Sequence, residues 1–157
     1  MKILVTGATG FTGSYVVPAL LEQGWEVACF VRETSQTGFL PTDRVEIRYG
    51  DLMEKGSLVT ALKGIDILVN NAAALPSSAV SVADPEKMNP FLDMTNERWS
   101  VEIHTNLSGV FYCIRAVTKQ MMEQRSGRII SIGSLAAING GYYSTPSYSA
   151  AKAGLMG

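Results

Sequence analysis

Three short runs, Ile3-Leu4-Val5, Ile67-Leu68-Val69 and Ile129-Ile130, are apolar at successive positions with no polar alternation. A strand with one wet face alternates, whereas a strand apolar on both faces has to be covered by helices on both sides, which is the setting of a parallel sheet. These three are therefore read as central strands. Two more β-branched runs complete a set of five expected strands, at Lys2–Thr6, Glu26–Val31, Val45–Tyr49, Asp66–Val69 and Arg128–Ile132, with helical segments between them. That rhythm predicts an α/β, doubly wound parallel sheet.

The 157 residues suit one domain burying roughly 70% of the surface its unfolded chain would expose. Lys and Arg total 13 against 14 for Asp and Glu, divided 6 against 8 through Val80 and 7 against 6 after it. With no basic face, nucleic acid is not an expected partner. Cys29 and Cys113 lie in apolar surroundings and His104 is the only histidine, so neither a metal site nor a disulfide framework is expected, and both thiols read as buried in a reducing compartment. No apolar run approaches the roughly 20 residues of a membrane span, and the first residues meet glycines too soon for a signal peptide. The expectation is a cytoplasmic protein with no membrane partner.

The clearest helix begins at Thr95, an N-cap with Glu97 in its first turn, and runs to about Gln124 with Leu107, Val110, Phe111, Ile114, Val117 and Met121 as its apolar stripe. Another, carrying Val16, Leu20 and Leu21, ends near Gly24. Leu75 to Met94, with Pro76, Pro85 and Pro90 and no periodicity, reads as a surface loop over a site.

Chemistry enters at Val5-Thr6-Gly7-Ala8-Thr9-Gly10-Phe11-Thr12-Gly13, which leaves a strand and opens a helix. Glycines there permit a tight turn and a close approach of backbone to a pyrophosphate, while the helix N-terminus offers unpaired N–H groups to it. No lysine follows Gly13, which excludes an ATP-type phosphate loop. A dinucleotide is the expected ligand. The second strand ends in Arg32 where an acid would serve NAD, so Arg32 is a candidate for the 2′-phosphate of NADP(H), favoured here over NAD(H); it also reads as an exposed strand-end arginine beside Glu33. Asp51, in Gly50-Asp51-Leu52, reads either as an adenine neighbour or as a helix cap.

Among six tyrosines, Tyr148 has a lysine four residues on, Lys152, whereas Tyr142 and Tyr143 have none. On a helix that spacing puts phenol and ammonium on one face, where the cation stabilises phenolate and makes the tyrosine a usable general acid or base. Ser134 follows the fifth strand, at the sheet end where such folds bind ligands. Asn106 is a poor helix former in mid-helix, which points to a local irregularity, and Asn106-Leu107-Ser108 also spells a glycosylation sequon.

Taken together, the glycine turn, Asn70-Asn71-Ala72-Ala73 after the fourth strand, Asn106, Ser134, Tyr148 and Lys152 resemble the short-chain dehydrogenase/reductase superfamily. The resemblance implies a Rossmann-like sheet of order 3-2-1-4-5 and hydride transfer between a nicotinamide cofactor and a small alcohol/carbonyl substrate. It implies that Tyr148 transfers the proton, Ser134 polarises the substrate oxygen, Lys152 binds the nicotinamide ribose and Asn106 holds a water. Cofactor contacts would fall on Gly7, Thr9, Gly10, Phe11, Gly13, Arg32, Asp51, Leu52, Asn71, Ala72, Ala73, Tyr148 and Lys152.

The start, to about Ile65, is more similar to the extended, epimerase-like branch, and the remainder to 3-oxoacyl-carrier-protein reductases, as if joined near 65. The family continues past the position of Gly157, so the resemblance implies a single NAD(P)-binding domain over 1–157 that is C-terminally incomplete. It would leave the strand at Arg128 unpaired on one side and favour a homo-oligomer, or self-association, through the helices at 95–124 and 147–157. The competing reading is a dinucleotide-binding module without turnover. A hydrolase is disfavoured because no Gly-x-Ser-x-Gly is present.

Overall fold

In the computed structural model, which describes residues 1–74, 89, 91–140 and 144–157, five parallel strands form one sheet in the order β3-β2-β1-β4-β5. They are β1 (Lys2–Thr6), β2 (Glu26–Val31), β3 (Glu46–Tyr49), β4 (Ile67–Asn70) and β5 (Arg128–Ser131). The expected strands and the expected order are thus met, with boundaries displaced by one residue at most. The helices are α1 (Phe11–Glu22), α2 (Lys55–Ala61), α3 (Asn96–Ile103), α4 (Gly109–Gln124), α5 (Ala136–Asn139) and α6 (Pro146–Gly154), with a π-helical turn at His104–Ser108 between α3 and α4.

The described residues form two compact units, one of Met1–Ala72 with Val110–Ile132 and one of Ala73–Gly109 with Gly133–Gly157. The first holds the sheet. Ile3, Val5, Val27, Cys29, Val31, Ile67 and Val69 point to one face, where Val16, Val17, Leu20 and Leu21 of α1 cover them. Leu4, Ala28, Phe30 and Leu68 point to the other, covered by Leu58 and Ala61 of α2 and by Cys113 and Val117 of α4. This two-sided burial is the reason β1 and β4 lack polar alternation. Helix α1 ends where expected: Gly24, at φ +78°, donates its N–H to Leu21, and Trp25 donates to Leu20. These two bonds form a Schellman cap that needs a left-handed residue.

Two expectations are corrected. On α4, Val110, Cys113 and Val117 are the buried hydrophobic positions, while Phe111 is exposed and lies with its ring under the Arg115 guanidinium. Close helix–sheet packing takes the small thiol and leaves the large ring at the margin. Strand β5 is not central, as its apolar run suggests, but the edge that the resemblance implies: among the described residues it pairs with β4 alone, and Ile129 and Ile130 are 39% and 47% exposed. The loop expected over 75–94 lies mostly outside the described residues, as do Tyr142 and Tyr143. At its described end, Asn89 Oδ1 accepts the amides of Phe91 and Leu92, forming a tight turn ahead of α3.

Burial pushes the thiol pKa of Cys29 up to about 11 and that of Cys113 up to about 12, so both behave as inert packing groups. Among the described residues no helix is long and apolar enough to cross a membrane, and no group of His, Cys, Asp and Glu could hold a metal ion.

Candidate functional site

At two of its three glycines the turn is built from contacts that no other residue could make. Gly7 sits at φ +64°, and a Cβ there would lie 2.5 Å from Ala72 Cα and 2.8 Å from Ala72 N. A Cβ on Gly13 would run into the carbonyl oxygens of Gly7 and Ala8. Gly7 therefore makes the turn possible against the end of β4, and Gly13 lets α1 pack onto that turn.

Gly10 differs from both. It is the N-cap of α1 in extended conformation, and the only close neighbour of an added Cβ would be Gly7 O at 3.3 Å. No side chain caps the helix, so the amides of its first turn stand open at the positive end of the helix dipole. That opening is what a pyrophosphate needs, and the turn fits a dinucleotide on this ground. Phe11 begins the helix 82% exposed and makes an edge-on pair with Tyr15, ring centroids 5.3 Å apart.

A residue missed by sequence reasoning braces this turn. Thr6 Oγ1 accepts the amides of Asn71 at 3.1 Å and Ala72 at 3.0 Å, and the Asn71 side-chain amide donates to the carbonyls of Thr6 and Gly7, each at 3.1 Å. Asn71, an expected cofactor contact, thus spends its side-chain N–H groups on holding the turn to the chain leaving β4. The signal for Thr6 was slight: one hydroxyl closing an apolar strand.

Around the second and third strands, the Arg32 guanidinium is exposed and makes no ion pair with Glu33. Its backbone N–H donates to Ser35 Oγ at 3.1 Å. Asp51 does not cap α2, whose N-cap is Glu54; its Oδ1 accepts the Met53 amide at 2.8 Å instead. Leu52 packs on the second core face. Thr9 is half-buried and Ala73 is exposed.

In the second unit, α6 carries Tyr148 and Lys152. Thr145 caps this helix by accepting the Tyr148 amide at 3.2 Å, and Pro146 occupies the first helical position, where its missing N–H costs nothing. The Lys152 ammonium lies 5.8 Å from the centre of the Tyr148 ring, on the same helix face. Lys152 is only 3% exposed, and burial lowers its pKa. Tyr148 is half-buried. Ser134 Oγ accepts the Ala136 amide at 3.2 Å, which holds the hydroxyl oxygen at the start of α5 and leaves its proton available to donate.

The irregularity expected at Asn106 is the π-helical turn at His104–Ser108. Asn106 is fully buried, so the sequon spells no accessible acceptor. Its Oδ1 accepts the Ala74 amide at 2.9 Å and its Nδ2 donates to the Ala74 carbonyl at 3.0 Å. Both ends of the side chain are committed to this segment.

The sequence model of the short chain dehydrogenase family matches residues 1–157. Nodulation protein G of Rhizobium meliloti (strain 1021) is 32% identical over 99% of this chain and 63% of its own length. A 3-oxoacyl-[acyl-carrier-protein] reductase of Synechocystis sp. is 34% identical over 100% of this chain and 55% of its own. Serine dehydrogenase from Escherichia coli superposes with a TM-score of 0.79 at 30% identity, covering 99% of this chain and 71% of that one. The chain therefore spans less than two thirds of the length of these two curated relatives.

Proposed function

The chain belongs to the short-chain dehydrogenase family, and from that premise we propose that it acts as a nicotinamide-dependent oxidoreductase on an alcohol/carbonyl pair. The observation that carries this reading is the Tyr148–Lys152 pair on one face of a capped helix, with the ammonium over the phenol ring. The bound nicotinamide would exchange hydride with the carbonyl carbon. Tyr148 Oη then gives its proton to the substrate oxygen, or takes it back in oxidation, and the Ser134 hydroxyl donates to that oxygen and stabilises the charge that develops on it.

Lys152 holds the nicotinamide ribose and keeps positive charge near the phenol. Because the Asn106 side chain is spent on Ala74, a relay water there is left to the backbone of the π-helical turn. The amides opening α1 hold the pyrophosphate. We place the activity in a reducing compartment, consistent with two buried, unpaired thiols.

Because one relative is named as a 3-oxoacyl-[acyl-carrier-protein] reductase, a 3-oxoacyl thioester such as acetoacetyl-CoA, and simple diketones, are the first substrates to try. The test is quenching or enhancement of NADPH fluorescence on mixing, followed by substrate-dependent loss of NADPH absorbance. Binding with no consumption for any substrate would favour a dinucleotide-binding module instead.

We further assign a preference for NADP(H), resting on the exposed Arg32 that follows β2, for which no ion pair is present among the described residues. Arg32→Asp should reverse the order of the two cofactor dissociation constants, each displaced by about tenfold, the worth of one charge-assisted contact. Equal constants in the unmodified chain by calorimetry would refute the preference. The exposed apolar edge of β5 also leads us to propose self-association, read as concentration-dependent light scattering that Ile130→Lys suppresses.

A further inference from the structure

Among the described residues of the second unit, the most deeply buried charge belongs to no step of that mechanism. Glu102, on α3, is 0% exposed. One carboxylate oxygen, Oε2, accepts the Ser147 hydroxyl at 2.6 Å and also the Thr145 hydroxyl. The other, Oε1, accepts Arg98 Nε at 3.3 Å, one turn back on the same helix. Thr145 and Ser147 are themselves buried and are the N-cap and second helical residue of α6.

A buried carboxylate is costly unless it is paired and hydrogen-bonded, and here the countercharge comes from α3 while two of the three bonds come from α6. The negative charge also stands at the positive end of the α6 dipole. Thr145 links this cluster to the chemistry: its Oγ1 accepts the Tyr148 amide while its proton goes to Glu102. Four residues beyond Glu102, Asn106 grips Ala74. The α3 helix and its π-helical turn thus hold the Tyr148 helix at one point and the Ala74 segment at the next.

We propose that Glu102 is a positioning residue for the reaction: through Thr145 and Ser147 its carboxylate sets the axial position and rotation of α6, and so the placement of Tyr148 and Lys152. This rests on the oxidoreductase reading for its catalytic consequence and on the hydrogen bonds alone for its structural one. Hydroxyls donating to a charged acceptor define helix placement more tightly than apolar packing, and misplacing a reacting group by about 1 Å costs up to about 10²-fold in rate.

The experiment compares the unmodified chain with Glu102→Gln, Thr145→Val and Thr145→Ser, by hydrogen exchange of individual amides and by steady-state kinetics. In Glu102→Gln the Tyr148 and Ser149 amides should exchange about tenfold faster while amides of β1 and β4 keep their rates. Its kcat should fall about tenfold, with KM and the NADPH dissociation constant within about twofold. Thr145→Val should reproduce both effects, and Thr145→Ser, which keeps the hydroxyl, should recover them.

If Glu102→Gln fails to fold, the Thr145 pair carries the same comparison. Unchanged exchange and kcat in Glu102→Gln and Thr145→Val would overturn the proposal. So would faster exchange throughout the sheet with kcat and KM both altered, the mark of general destabilisation. If the unmodified chain reduces no carbonyl compound, the oxidoreductase reading fails on its own and the exchange rates still decide whether Glu102 holds α6.

Discussion

Tyr148→Phe should lower kcat by at least about 10²-fold while leaving the NADPH dissociation constant within about twofold of the unmodified value. The reason is that the substitution removes one atom and disturbs little else. The phenyl ring that lies 5.8 Å from the Lys152 ammonium stays in place, as does the Tyr148 amide bond to the Thr145 cap. The groups proposed to hold the pyrophosphate belong to the turn at Gly7–Gly13, and none of them changes.

On the proposed mechanism what is lost is the proton delivered to the substrate oxygen, an interaction made only as charge develops there, so the loss belongs in kcat and not in cofactor affinity. Tyr142→Phe and Tyr143→Phe serve as controls, since neither has a lysine four residues on. Steady-state kinetics with acetoacetyl-CoA at saturating NADPH makes the comparison. Activity preserved in Tyr148→Phe but lost in a control would move the general acid to another residue.

Much of this arrangement could be read from residue order because the local signals agreed with the tertiary outcome. The non-alternating runs at Ile3 and Ile67 marked strands buried on both faces, and Thr95 and Gly24 marked helix ends that their backbone bonds confirm. Where signals conflicted, residue order misled. Ile129 and Ile130 have the composition of a central strand, but burial depends on what lies alongside, and among the described residues β5 has one neighbouring strand.

On α4, hydrophobicity ranks Phe111 above Cys113, while the space between helix and sheet takes the smaller group. Glu102 was invisible for a similar reason. A glutamate in a helix reads as solvated, and only the hydroxyls of Thr145 and Ser147, more than forty residues away, make its burial tolerable. The turn could be read as glycines, though not which of them the fold requires and which it leaves free for a ligand.

That division yields the second large effect. Gly13→Ala should destabilise the chain severely, whereas Gly10→Ala should leave it folded and weaken NADPH binding by at least about tenfold, the equivalent of about 1.4 kcal/mol. At Gly13 the new methyl would meet the carbonyl oxygen of Gly7 and, at 2.6 Å, that of Ala8; both are backbone atoms held between β1 and α1 and cannot swing aside. Overpacking of this kind costs about 3 kcal/mol, a large part of the roughly 5–15 kcal/mol that holds a domain together, and should lower the melting midpoint by about 10 °C.

At Gly10 the backbone is extended, with φ −86° and ψ 174°, which any residue adopts, and the methyl would find only Gly7 O at 3.3 Å. The cost to the fold is that of a poorer N-cap, about 1 kcal/mol. A side chain at this N-cap would, however, crowd backbone that the proposed pyrophosphate site needs bare. Thermal melting and NADPH titration of the two variants separate the roles. An unchanged NADPH affinity in Gly10→Ala would show that the pyrophosphate does not rest on this turn, and an unchanged melting midpoint in Gly13→Ala would show that α1 can withdraw from it without loss.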